Sequence, residues 1–187
     1  DTIGSKIPKT FLTNVDVIYV GDFDFFKERD IQAMYENSCI FVTNQQDSVE
    51  DMCDDIVHEI AHLTEKTYGA LIYEDQKILR EFLGKRQRLY HILRAEGFSV
   101  EPKDFMEVEY SRKFDNFLFQ KVGYPLLTQL TIGLFLTPYG TTSLPEYFAE
   151  SFEFIRSPYD LPAPRLIGNL LFPEDGTTWA NTGLWGS

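Results

Sequence analysis

Residues 54–69 read DDIVHEIAHLTEKTYG and hold two of the chain's three histidines, four positions apart, with a glutamate directly after the first. Four positions is about one helical turn, so on a helix both imidazoles stand on one side and can reach a single ion. On a helical projection Val49, Met52, Cys53, Ile56, Ile60 and Leu63 fall within an arc of about 100°, the stripe expected to face a core. His58 and His62 fall about 180° and 220° from Val49, away from that stripe, where a pair of core histidines would not be. Glu59 projects beside them and can take a proton from a metal-bound water without ligating the metal itself. A catalytic zinc needs three protein ligands and one open position. The remaining histidine, His91 in RLYHILR, reads as an ordinary residue of an amphipathic helix, so a carboxylate is the better third ligand.

Composition bounds the rest. A chain of 187 residues, 43% hydrophobic and 15% aromatic, can bury a substantial core and is short for two domains, so one domain over 1–187 is expected. No apolar run is long enough to span a membrane, and the first thirty residues lack the basic-then-apolar pattern of a signal peptide. A first residue Asp1 without methionine suggests a processed product or a fragment of a larger protein. The net charge of −12 argues against a nucleic-acid surface. Lys77, Arg80, Lys85, Arg86, Arg88 and Arg94 form one basic cluster at helical spacing, expected to be a solvated face with ion pairs. Cys39 and Cys53 are expected to be buried free thiols.

Along the chain, VDVIYV at 15–20 and CIFVT at 39–43 read as strands, with a short helix near 28–35 between them. Ser48 can cap a helix with Glu50 and Asp51 in its first turn, running to about Thr67, where Gly69 stops it. A second helical pattern covers 74–95, interrupted at Gly84. Residues 104–136 look mostly helical, with breaks at Pro125 and Gly133; TPYGTTS is a loop, and Ser143 or Thr142 caps a further helix ending before Pro158. Residues 158–187 read as an extended tail. The architecture expected is α+β: a small N-terminal sheet packed on the HEIAH helix and a mainly helical C-terminal part.

Residues 139–154, YGTTSLPEYFAESFEF, put Glu146, Glu150 and Glu153 on one helix face and Phe148 and Phe152 on the opposite one. One reading is an amphipathic helix with a solvated acidic face. The other makes Glu146 the third metal ligand and Glu150 the acceptor of a ligand imidazole's free N–H. Spacing alone leaves both open.

HEIAH followed downstream by EYFAESF resembles the gluzincin zinc metallopeptidases, and more narrowly the lethal-factor-like toxin proteases and the Pro-Pro endopeptidases, whose second helix carries a similar E-[FY]-F-A-E-x-F motif. The resemblance covers the motif helix, the strand before it and residues 137–156. It implies a zincin-like fold, one Zn2+ held by His58, His62 and Glu146, and Tyr139, seven residues before Glu146, as the oxyanion donor. It also implies that CIFVT is an edge strand pairing with an extended substrate, against its being an ordinary core strand. The 83 residues between His62 and Glu146 are longer than that pattern, so 74–136 reads as a helical insertion. The function expected is a zinc-dependent endopeptidase acting on a peptide or protein through an activated water with Glu59 as general base. Two alternatives stay open: a non-catalytic, metal-stabilised domain of a larger structural or interaction protein, and a helical domain in which HEIAH is accidental.

Overall fold

The computed structural model describes Ile3, Ile7, residues 9–29 and residues 31–154; the tail expected over 158–187 lies outside these. The fold is α+β, and the chain divides into two compact units, one of residues 1–69 with 152–187 and one of residues 70–151.

The first unit is built on three short strands, β1 (Val17–Gly21), β2 (Ala33–Glu36) and β3 (Cys39–Thr43), in the order β1-β3-β2. β1 runs parallel to β3 and β2 antiparallel to it. A tight hairpin joins β2 to β3 because Asn37 and Ser38 both adopt positive φ, 50° and 62°, the geometry a two-residue turn of this hand requires. The short helix expected near 28–35 is α1 (Asp24–Arg29), and the residues after it form β2. CIFVT is not an edge: β3 has a strand on each side, and its Ile40 and Val42 are fully buried. Among the described residues the edges are β1 and β2, and Val17, Tyr19 and Val20 of β1 are exposed accordingly.

α2 (Val49–Ile72) carries the HEIAH stretch. Ser48 caps it as expected, its hydroxyl oxygen accepting from the Asp51 backbone N–H at 3.1 Å. The helix runs through Gly69, whose cost in a helix interior is only about 1 kcal/mol. Cys53, Ile56, Val57, Ile60, Ala61, Leu63 and Thr64 are buried, an arc about 160° wide on projection. Val49, expected in that stripe, is 71% exposed, since it starts the helix and projects past the core. Lys66 of α2 lies over the Tyr35 ring of β2, 5.9 Å from its centroid, and Phe152 packs edge-on to Phe11 at 5.3 Å.

The second unit is helical: α3 (Lys77–Ala95), α4 (Arg112–Asn116), a π-helical turn Phe117–Gly123, α5 (Tyr124–Thr131) and most of α6 (Leu144–Glu153). Gly84 does not interrupt α3. That helix ends at Gly97, φ 87°, where the Gly97 and Phe98 N–H groups donate to the carbonyls of Arg94 and Leu93, a Schellman stop. Gly123, also at φ 87°, makes the next break, and Pro125 sits in the first turn of α5 where a missing N–H costs nothing.

The basic cluster of α3 is not uniformly solvated. Arg86 is 1% exposed; its guanidinium donates to the carbonyls of Asp104, Thr141 and Thr142 at 2.5, 2.6 and 3.1 Å and lies 4.0 Å over the Phe114 ring. Burial pushes its pKa down to about 10, which leaves it charged at neutral pH.

Two glycines test these backbone readings with opposite signs. Gly84 is interior to a helix with open space where a Cβ would go, so Gly84→Ala should raise unfolding stability by up to about 1 kcal/mol. Gly97 also has open space but positive φ, so Gly97→Ala should lower it by about 1–2 kcal/mol. Urea denaturation of both variants measures this; a shift of the same sign in both would contradict it.

Candidate metal centre

α2 presents the two motif histidines outside its buried arc, both half-buried. Their Nε2 atoms are 3.1 Å apart, with the rings edge to face. Two nitrogens on one tetrahedral zinc, each about 2.0–2.1 Å from it, stand about 3.3 Å apart. The pair therefore already has close to the spacing that one ion would impose.

The far nitrogen of His58 is engaged as well. Its Nδ1 stands 2.6 Å from Oε1 of Glu153, and both side chains are mostly enclosed, 16% and 17% exposed. A carboxylate oxygen accepts, so Nδ1 carries the proton, and in the neutral tautomer Nε2 is then the acceptor atom, the one a metal would take. Loss of hydration raises the Glu153 pKa, Asp54 and Asp55 push it the same way, and His58 opposes them. Asp55, raised chiefly by burial, accepts from Gln46 Nε2 at 2.5 Å.

In the second unit, the turn Tyr139–Thr141 and the start of α6 are organised by hydroxyl groups. Thr137 Oγ1 accepts from the Tyr139 N–H at 3.1 Å, Thr141 and Thr142 donate back to the carbonyls of Pro138 and Tyr139, and Ser143, rather than Thr142, caps α6 by accepting from the Glu146 N–H at 3.3 Å. Gly140 is buried with its α-carbon against Glu150 and Tyr147; an added Cβ would stand 3.6 Å from Glu150 Cγ. Tyr139 itself is 41% exposed. Loss of hydration at its hydroxyl, then Glu146, Tyr110, Asp115 and Glu150, hold its pKa far above the usual phenol range. It is thus a neutral donor throughout the physiological range.

Among the described residues, the side chains of a kind that could hold a metal ion are His58, His62, Glu146, Glu150 and Glu153. His58, His62 and Glu153 belong to the first unit, Glu146 and Glu150 to the second. The acidic face of α6 is not a solvated one: Glu150 is 9% exposed and Glu146 and Glu153 are half-buried. The carboxylate bonded to His58 is Glu153, where Glu150 was expected; its position seven after Glu146, two helical turns on, was the available signal. Glu59 and Glu65 are half-buried on α2, and His91 is an exposed residue of α3 against Tyr90. No helix of the described residues is long and apolar enough to cross a membrane. Comparison of the chain with protein-family models, with curated proteins and with solved structures found no match.

If Glu153 fixes the His58 tautomer, Glu153→Ala should weaken zinc affinity by about 10–100-fold, while His91→Ala leaves it unchanged. Competition titration with a chelator on both folded variants checks this; equal affinities would contradict the role given to Glu153.

Proposed function

We propose that the chain is a zinc-dependent endopeptidase with a zincin-like catalytic fold of the gluzincin kind. The observation that carries this reading is the His58–His62 pair, Nε2 atoms 3.1 Å apart, with His58 Nδ1 held by the half-buried carboxylate of Glu153. Such an arrangement fits the donor set of zinc, two neutral imidazoles sharing one ion, better than it fits structural histidines on a helix face. Glu146 would be the third ligand: it stands on the same face of α6 as Glu153, about two turns earlier.

A bound zinc supplies Lewis acidity and brings the pKa of a coordinated water toward about 7. The chain's own residues supply the rest. Glu59, next to His58 on α2, takes the proton of the attacking water and passes it to the leaving amine. Tyr139, protonated at all ordinary pH, donates to the oxygen on which negative charge develops. Glu153 keeps His58 in the tautomer and orientation that ligation needs, and Glu150, on the same face of α6, adds negative charge beside the tyrosine.

Glu59→Gln should abolish peptide hydrolysis with zinc content intact, and His58→Ala should lose both. Tyr139→Phe should slow turnover by roughly a hundredfold, about 3 kcal/mol, with zinc content unchanged. A fluorogenic peptide library with elemental analysis of each protein reads all three. Turnover surviving in Glu59→Gln would refute the role of that residue. Zinc without turnover in the wild type would favour a non-catalytic, metal-stabilised domain.

A further inference from the structure

Tyr139 and Glu146 are seven residues apart, and the four residues Gly140–Ser143 that link the 3-10 turn to α6 are all buried. Their carbonyls need donors, because a buried carbonyl without one loses its bond to water and gains nothing in return. Two of these carbonyls, on Thr141 and Thr142, take the same guanidinium nitrogen of Arg86, Nη1, at 2.6 and 3.1 Å. The other, Nη2, reaches the Asp104 carbonyl at 2.5 Å, in the 3-10 turn Pro102–Phe105. The plane of the group is fixed by Phe114, 4.0 Å away. None of these partners is a carboxylate. One turn from Arg86, Glu81 on the same helix accepts from the Tyr147 hydroxyl at 3.0 Å, next to Glu146.

We infer that Arg86 is a positioning residue: its guanidinium fixes the segment that carries Tyr139 at one end and launches Glu146 at the other, an inference that rests on the roles proposed for those two residues. A planar fork with separate nitrogens can hold carbonyls from two turns at once, whereas a lysine ammonium is a point donor on a flexible stem. Arg86→Lys keeps the charge and most of the buried stem but gives up this shared geometry. The loop then keeps its internal hydroxyl bonds while losing its fixed attachment to α3.

The test is a double-mutant cycle with Tyr139→Phe, measured on folded, zinc-loaded protein with kcat and KM separated. Arg86→Lys should lower kcat by roughly tenfold or more with KM nearly unchanged, as expected for an interaction made only in the transition state. In the Tyr139→Phe background the same change should cost less than about threefold, because the tyrosine donor is gone and zinc loading already holds Glu146 in place. An equal factor in both backgrounds, or no loss in the first, would overturn the inference and leave Arg86 a stability residue. Amide hydrogen exchange gives a readout independent of zinc and turnover: amides of 139–147 should exchange faster in Arg86→Lys while those of 86–95 keep their rates. Uniform acceleration, or none, would again overturn it. This local readout stands even if the wild type binds no zinc, which would instead sink the proposed activity. Should Arg86→Lys fail to fold, Arg86→Gln, which keeps one planar amide donor and removes the buried charge, is read in the same ways.

Discussion

The bond between His58 Nδ1 and Glu153 Oε1 joins residues 95 positions apart, and the chemistry of the first unit depends on it. Without Glu153 the His58 ring would be free to choose its tautomer and to turn. With it, Nδ1 carries the proton and Nε2 stands 3.1 Å from the Nε2 of His62. The carboxylate gains in return, since Glu153 is enclosed beside Asp54 and Asp55 and His58 is the group that offsets both its lost hydration and that repulsion. A half-buried carboxylate and a half-buried imidazole, each costly alone, become compatible as a pair.

The second unit solves a different problem by similar means. Its turn at Tyr139–Thr141 and the first turn of α6 expose hydrogen-bonding groups to an apolar interior, and three threonines, a serine and Arg86 meet them. Tyr139 and Glu146 are held from both ends by the same network. A segment assembled on a helix start and a hydroxyl-pinned turn has little freedom to drift, which the catalytic role proposed for Tyr139 would require. The aromatic ring of Phe114 and the backbone acceptors, with the charges of Asp104 and Glu107 nearby, let Arg86 stay charged in the core.

Much of this was legible in the sequence for definite reasons. The HEIAH helix announced itself by its cap at Ser48 and its apolar spacing, and the cap of α6 by Ser143. The strands were legible from β-branched runs, but their order was not: nothing local in CIFVT says that it takes partners on both sides, because sheet order is a property of the whole topology. β2 was hidden because its hairpin uses Asn37-Ser38 instead of the more recognisable Asn-Gly. Gly69 and Gly84 read as breaks, but a single helical glycine is overridden by the surrounding turns; Gly97 and Gly123 are breaks because their φ is positive. The roles of Glu153 and Arg86 were not legible for one reason. Each looks like a surface charge on its own helix, and only the tertiary partners, His58 for one and the carbonyls of Thr141 and Thr142 for the other, bury it.

The central claim is that His58, His62 and Glu146 together hold a zinc ion, and zinc stoichiometry on purified protein tests it most directly, with wild type beside Glu146→Ala and a folding check on both. The account predicts one zinc per chain in the wild type and loss or marked weakening of binding in the folded variant. Folded wild type that takes up no zinc after reconstitution, or a Glu146→Ala variant that binds it undiminished, would contradict it.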